Sequence, residues 1–578
     1  MPLTSQQKHY IKKNVQRYSP EEIADKLNLP SGEIHRYIKN RWGDKKIKKM
    51  TNQMAEGSLS QINLSTFRLR SFLSENINYF IFLFVLVFLS YFNSLSNDFV
   101  SDDIATILKN PNIGNLGSAI STFLIGSIHS ILDFLIYKIF GLNPIFFRII
   151  NILFHLGSVW IIYILASLLV NKKVGIISAC LFAVHPILTE SVAWISGAPY
   201  VLYGFFILLS FLTYILSENN KKVYYLSIAS FIFAIFSSDK VLFFPVILIA
   251  YEFSFCNLKK NWRRIIPHGL ISLALIILSI TRIGTRVVAI SQINYQQNEG
   301  FYNPLTQIPT AISTYLKLMF WPQGLTLYQT ELNFSLEKYI FLLAIFVGFM
   351  FVLFYGWKKN RLLFFWLSFF IITLSPTLTP LKISWIVAER YVYLGSIGIF
   401  VSMAMLLNWM LEKHDRYKIP LYSISAIILI ALYARTIARN VDWKNEDNLW
   451  IATVKTSPSG PNIHNNVGDV YARNGDFENA AKEFSKSIEI NPNYGDAYHN
   501  LANTYKAMGK IDLAIENYNK ALSINPNIWQ SRQNLAGIYY EMGDMKKAEE
   551  HMKQAVKIDP NNQNLQQNLS LIQSSMKK

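Results

Sequence analysis

Cysteine is nearly missing from this chain. Only Cys180 and Cys256 occur in 578 residues, both inside apolar runs. That excludes a disulfide framework and leaves the two thiols as small apolar filler. Charge is scarce too. Asp, Glu, Lys and Arg make up 16% of the chain, against roughly 25% in soluble globular proteins. Hydrophobic residues reach 51% and aromatics 14%, which excludes both an ordinary soluble enzyme and a disordered chain. No apolar stretch follows the first basic residues, so no signal peptide is read. His464, His499 and His551 lack metal-ligand spacing. Acidic residues are the minority charge, 37 against 55 Lys and Arg, for a net charge of +18. Such an excess suits nucleic acid, an anionic membrane surface or anionic substrates, and its placement decides among them.

What is abundant is apolar runs. Eleven stand out, at 77–94, 145–170, 174–195, 199–217, 223–238, 241–256, 265–283, 339–357, 361–378, 386–411 and 418–438. Several fall short of the roughly 20 residues of a straight span. Short basic loops lie between alternate runs, at Lys172-Lys173, Lys221-Lys222, Lys259 to Arg264, Lys358 to Arg361 and Lys413 to Lys418. Counting from an inside N-terminus puts all of them on the cytoplasmic side, as the positive-inside rule requires. The same parity puts 95–144, 284–338, 376–385 and 442–578 outside. The expected organisation is a basic cytoplasmic region over 1–76, a membrane domain over 77–441 and an extracytoplasmic module over 442–578. The expected setting is the plasma membrane, crossed several times.

That last module repeats itself. Asn491-Pro492-Asn493, Asn525-Pro526-Asn527 and Asp559-Pro560-Asn561 recur every 34 residues, the period of the tetratricopeptide helix–turn–helix. Gly468, Ala502 and Ala536 fall in register, as do Tyr471, Tyr505 and Tyr539, and Gly475, Gly509 and Gly543. Repeats are expected at 461–494, 495–528 and 529–562, with a capping helix over 563–575. The fold class is therefore all-α, a polytopic helical membrane protein followed by an α-solenoid. Asn466, Asn500, Asn534 and Asn568 form a column on the first helix of each unit. A side-chain amide carries both a donor and an acceptor, so the column can pair with an extended polypeptide. The plainer reading is a tolerated polar position in an Asn-rich chain.

Near the start, Ser19-Pro20-Glu21-Glu22 reads as a capping box with Pro at the first helical position. A turn at Asn28 to Gly32 leads into a basic helix from Glu33 to Trp42. Residues 15–42 are similar to a DNA-binding helix-turn-helix. A hairpin at the membrane surface, with Lys45, Lys46, Lys48 and Lys49 on anionic lipid, explains them as well. Nucleic acid is not expected as a partner except through this unit.

Polar residues at span ends are the functional candidates. Asp102 and Asp103 follow the first span. Adjacent carboxylates repel, and such a pair can take a proton from a hydroxyl or hold a divalent cation. A solvated loop is the alternative. A second group is His185, Glu190 and Trp194, a third Asp239 and Lys240, and a fourth Lys382, Glu389 and Arg390. A basic residue at headgroup depth can meet a lipid phosphate.

These segments, in order, resemble the transmembrane and tetratricopeptide repeat-containing O-mannosyltransferases of the GT-C glycosyltransferase superfamily. The resemblance rests on Ser101-Asp102-Asp103 with Asn110 to Ile113, Gly141 to Pro144, Asn151 to His155, His185 to Trp194, Glu389 to Leu394, and Trp443 to Glu446. It implies a membrane enzyme that moves a sugar, mannose or another hexose, from a polyprenyl-phosphate carrier to Ser or Thr of an extracytoplasmic polypeptide. It implies Asp102 or Asp103 as general base, and Arg390, with Lys382 and Glu389, at the donor phosphate. It names no certain cofactor, leaving a divalent cation at the acidic pair open. The chain departs from the family at Ser101, where a Trp is usual, and at His129 to Leu132, where the family has Tyr-Arg-Pro-Leu. It departs again at Ser237-Ser238-Asp239, where the family has Ser-Lys-Glu, so that Lys240 is displaced. A membrane-anchored repeat scaffold without catalysis is the alternative function.

Overall fold

The computed structural model describes residues 3–14, most of 23–42 in short pieces, 67–292 apart from 125 and 219, 303–329 apart from 328, 335–378 and 387–576. Among these residues there is helix and no strand.

Each of the eleven apolar runs contains helix among the described residues. Five helices are long and apolar enough to cross a bilayer: Ile77–Ser94, Pro144–Leu169, Ile195–Leu216, Leu336–Lys359 and Lys418–Asp442. Lys172–Val184 and Pro186–Ala193 meet the criterion together but are bent by 56° at their break, and count as a sixth only if the pair is taken as one bent span. Pro186 lacks the N–H that would continue the first helix, which ends at Val184 with His185 extended. The other five runs lie on helices that do not meet the criterion, among them Lys221–Ile235, Phe244–Phe255 and Arg361–Leu374.

Asparagine explains many helix starts. Asn143, Asn171, Asn220, Asn303 and Asn360 each cap a helix, the side chain accepting from a backbone N–H two or three residues on. Pro144 and Pro304 follow as first helical residues, where no donor is missed. The Pro304–Phe320 helix differs from the sequence reading, which treated 284–338 as an outer connection. Ala311, Ile312, Tyr315 and Met319 are buried in the main core with residues of the Pro144–Leu169 and Lys172–Val184 helices. Large apolar side chains that point outward, such as Ile81, Phe84, Phe351, Ile427 and Ile430, are exposed as lipid-facing rows would be.

After the last long helix, Glu446–Thr456 leads into the repeats. The helix pairs begin at Pro461, Gly495 and Trp529, with Gln563–Met576 as the final helix, each 34 residues after the last. A Cβ at Gly468 would sit 2.7 Å from the Phe484 ring, so this position needs glycine for close helix packing. At the N-terminus, Ser5–Asn14 is helical, and Leu3, Ile11, Ile23, Ala24, Ile34 and Ile38 share a small core. The capping box at Ser19 to Glu22 lies outside the described residues.

Candidate functional site

Asp102 and Asp103 stand where a short helical segment begins after an irregular loop. Ser101, just before them, has φ of 55°, the one non-glycine among the described residues in the left-handed region. A residue with a Cβ holds that conformation only when its surroundings fix it. Three elements do so here.

From the Pro144–Leu169 helix, the fully buried Arg148 donates to the carbonyls of Asn97 at 2.9 Å, Asp98 at 3.0 Å and Ala193 at 2.6 Å. One turn later, Asn151 Nδ2 donates to Trp194 O at 2.9 Å. From the segment after the bent span, Trp194 Nε1 donates to Val100 O at 3.2 Å. From the connection to the repeats, Lys444 O accepts from Asp98 N at 2.8 Å, and a Glu446 carboxylate oxygen accepts from Ser101 N.

The two aspartates are not equivalent. Asp103 is fully buried. Its Oδ1 accepts from Ser196 N at 2.8 Å and from the Ser196 hydroxyl, and its Oδ2 accepts from Val100 N at 3.2 Å. Burial pushes its carboxyl up to about 6, against those hydrogen bonds and the charge of Arg148, which pull downward. Asp102 is exposed, and among the described residues no side chain claims its carboxylate in the way Ser196 claims that of Asp103. The sequence left the choice of base between them open. The geometry separates an anchor, Asp103, from an exposed carboxylate, Asp102.

Asp133 joins this acidic centre unannounced by the sequence. It lies on His129–Phe140, whose Ile136 packs with Phe99, Ile107, Phe147 and Ile195 around the acidic loop. Burial first, and then the Asp103 charge, push its carboxyl up to about 7. A divalent cation at the pair would find only Asp102 free, because both Asp103 oxygens are taken. Among the described residues no group of three or more His, Cys, Asp or Glu converges as metal ligands. The described residues do not assemble a cation site, and no step below is routed through a metal.

The basic side of the site gathers around Arg390. The buried Glu190 accepts from Arg390 N at 2.8 Å and from the Arg390 guanidinium. That guanidinium lies 5.7 Å over the Trp194 ring and 5.2 Å over that of Tyr391. Lys240, two positions beyond the place of the family's Lys, still reaches this region. Its Nζ is 3.3 Å from Tyr200 Oη and 5.2 Å from the centre of the Tyr391 ring. Asp239 beside it is exposed. Lys382 lies outside the described residues.

Two candidates hold the frame. The buried Glu389 carboxylate accepts from Thr326 N and, at 3.1 Å, from the fully buried Arg439, which also donates to Asp442 at 3.0 Å. His185 spends both ring nitrogens inside the protein. Nδ1 accepts from Ile187 N at 3.2 Å, and Nε2 meets Met319 O at 2.9 Å. His185 therefore ties the break in the bent span to the Pro304–Phe320 helix.

On the repeats, Asn466, Asn500, Asn534 and Asn568 are all half-buried. Asn500 Nδ2 donates to Asn465 at 3.0 Å and Asn534 Nδ2 to Asn503 at 2.8 Å. Each of these two bonds runs back to the preceding repeat, so the amides are held in place.

Sequence reading missed Arg148, Asp133, Ser196 and Arg439. Arg148 had a signal, as a charge inside an apolar run. The others show their roles only through long-range contacts.

Comparison with known proteins bears on the same regions. The family model described as dolichyl-phosphate-mannose-protein mannosyltransferase matches residues 130–282. Tetratricopeptide models match 468–509, 495–528 and 530–562. The protein O-mannosyl-transferase TMTC3 of Mus musculus is 24% identical over 437 residues, covering 65% of this chain and 47% of the relative. The protein O-mannosyl-transferase F38B6.6 of Caenorhabditis elegans is 24% identical over 434 residues, covering 69% and 60%. The chain thus spans about half the length of the first relative. Among solved structures, MamA is 22% identical with a TM-score of 0.19, covering 25% of this chain and 86% of its own. The matched mannosyltransferase region includes the run from His185 to Ser196 and Lys240, and stops short of Arg390.

Proposed function

We propose, for a chain that is similar to the TMTC O-mannosyl-transferases in its membrane helices and in its repeats, a membrane glycosyltransferase. It moves a hexose from a polyprenyl-phosphate carrier to Ser or Thr of a polypeptide held by the repeats. The division into 1–76, 77–441 and 442–578 belongs to this proposal. So do a cytoplasmic N-terminus and extracytoplasmic repeats at the plasma membrane.

The observation that carries it is Trp194. One face of the indole lies under the Arg390 guanidinium, and its N–H holds Val100 of the acidic loop. A single side chain therefore joins a carboxylate site to a cationic site. Transfer with inversion needs that pairing. The acceptor hydroxyl oxygen attacks the anomeric carbon and its proton passes to Asp102. The bond from that carbon to the phosphate oxygen breaks, and the electron pair leaves with the lipid phosphate. Arg390 and Lys240 offset the charge that develops there. Glu190 orients Arg390, and Asp103 fixes the loop.

The repeats supply the acceptor. Amide side chains held at 34-residue intervals along the first helices suit an extended backbone of many sequences. The test is mass spectrometry of extracytoplasmic proteins from cells carrying the wild-type chain or Asp102→Asn. Hexose on Ser or Thr should be present with the first and missing with the second, at equal protein levels. Identical modification in both contradicts the base assignment. No modification in either favours the repeat scaffold.

A further inference from the structure

The connection between the last long helix and the repeats is built into the acidic loop rather than hung below it. Trp443 is fully buried and stacks on Trp194, ring centres 5.6 Å apart at 28°. Arg439 lies 5.7 Å over the other partner of that stack, Trp443. Asn445 caps the Glu446–Thr456 helix by accepting from Asn448 N at 2.9 Å, and Asn448 Nδ2 returns to Val441 O at 3.1 Å. Val100, Trp194, Leu327, Trp443, Leu449, Trp450, Val467 and Val470 form one apolar cluster. It contains the acidic loop, the membrane domain, the connection and the first repeat helix.

Glu446 is the polar contact at the centre of this join. One carboxylate oxygen accepts from Ser101 N, and the other accepts from Trp450 Nε1 at 2.8 Å. The indole bond fixes the carboxylate, and the carboxylate fixes the amide of the residue whose φ is 55°. Asp102 is the next residue. Its backbone is set by that peptide, and among the described residues of the membrane domain nothing takes the Ser101 amide in place of Glu446.

We propose that Glu446 is a positioning residue for Asp102, so that the segment leading to the repeats completes the catalytic loop. The catalytic part of this inference rests on the transferase reading above. The tether does not, and it can be measured alone. The repeats and the reactive carboxylate are then one mechanical unit. An acceptor seated on the first repeat is held at a set distance from Asp102, because Val467 and Val470 of that repeat share the cluster with Val100.

The test uses the full-length chain in detergent, with Glu446→Ala, Glu446→Gln and wild type. Hydrogen exchange is followed over residues 98–104 and over the repeats. Glutamine keeps an acceptor oxygen and alanine keeps none. Glu446→Ala should speed exchange over 98–104 at least about tenfold and leave the repeats unchanged, while Glu446→Gln restores most of the protection. In transfer assays with a polyprenyl-phosphate hexose and a Ser/Thr peptide, Glu446→Ala should lower kcat about tenfold at unchanged KM for the peptide. Unchanged exchange over 98–104 in Glu446→Ala overturns the tether whatever the activity. Faster exchange with wild-type kcat overturns the positioning role. A wild-type chain that transfers nothing contradicts the transferase reading, and the exchange result still decides the tether.

Discussion

Two neighbouring carboxylates with different surroundings carry the account at the scale of the residue. Asp103 is buried and its folded value lies at about 6, above its ordinary 3.8. Its protonated form is therefore the one the fold favours. Stability from this group is fully present below about 3.8 and is lost as pH rises through about 6. The full swing is on the order of 3 kcal/mol. Asp133, raised to about 7 by burial and by Asp103, shifts the same way. Asp103→Asn removes one of these titrations while keeping an acceptor for Ser196. Thermal unfolding between pH 4 and pH 6 should thus fall more steeply for wild type than for Asp103→Asn. Equal slopes would contradict the burial of this carboxylate. None of this was readable from Asp102-Asp103 as a string. The asymmetry comes from Ser196 and Arg148, each more than forty residues away in sequence.

At the scale of the element, the repeats were the most legible part of the sequence. Their period, their small residues and their proline turns are local signals, and the structure places helices accordingly. Gly475, Gly509 and Gly543 have φ of 78°, 75° and 82°, the left-handed turn that ends each first helix. Gly537, by contrast, lies inside the Trp529–Glu541 helix, and nothing stands within 4 Å of a Cβ added there. Gly509→Ala should destabilise its repeat by about 1–2 kcal/mol. Gly537→Ala should stabilise by up to about 1 kcal/mol. Hydrogen exchange over the repeats of the full chain checks both signs, and a shared sign would contradict the turn assignment. The membrane helices were legible as apolar runs but not as spans. The run at 174–195 reads as one stretch, yet Pro186 breaks it. Pro304–Phe320 was passed over although Asn303-Pro304 announces a helix start, because its polar Gln307, Thr310 and Ser313 dilute the apolar signal. Those polar groups are buried against neighbours, as Ser313 shows by donating to Leu342 O at 2.6 Å. Pairing of that kind is a property of the packed bundle.

Over the whole molecule, the scarce charge acquires addresses. The basic excess belongs to residues 1–441, while 442–578 carries 15 Lys and Arg against 16 Asp and Glu. Exposed Lys172, Lys358 and Lys359 mark helix ends, whereas Arg148, Arg390 and Arg439 are turned inward and paired. Short segments distant in sequence converge on one loop. Arg148 and Asn151, Glu190 to Ser196, Arg390, and Trp443 to Glu446 all hold the acidic loop or a residue that holds it. The order of these motifs was visible in the sequence, and their meeting was not. The most direct measurement is transfer by the purified full-length chain, with a polyprenyl-phosphate hexose as donor and a Ser/Thr-containing peptide as acceptor. Wild type should form the O-linked hexose, and Asp102→Asn, melting at the same temperature, should lose at least about a hundredfold in rate. An Asp102→Asn chain that transfers at the wild-type rate would contradict the account.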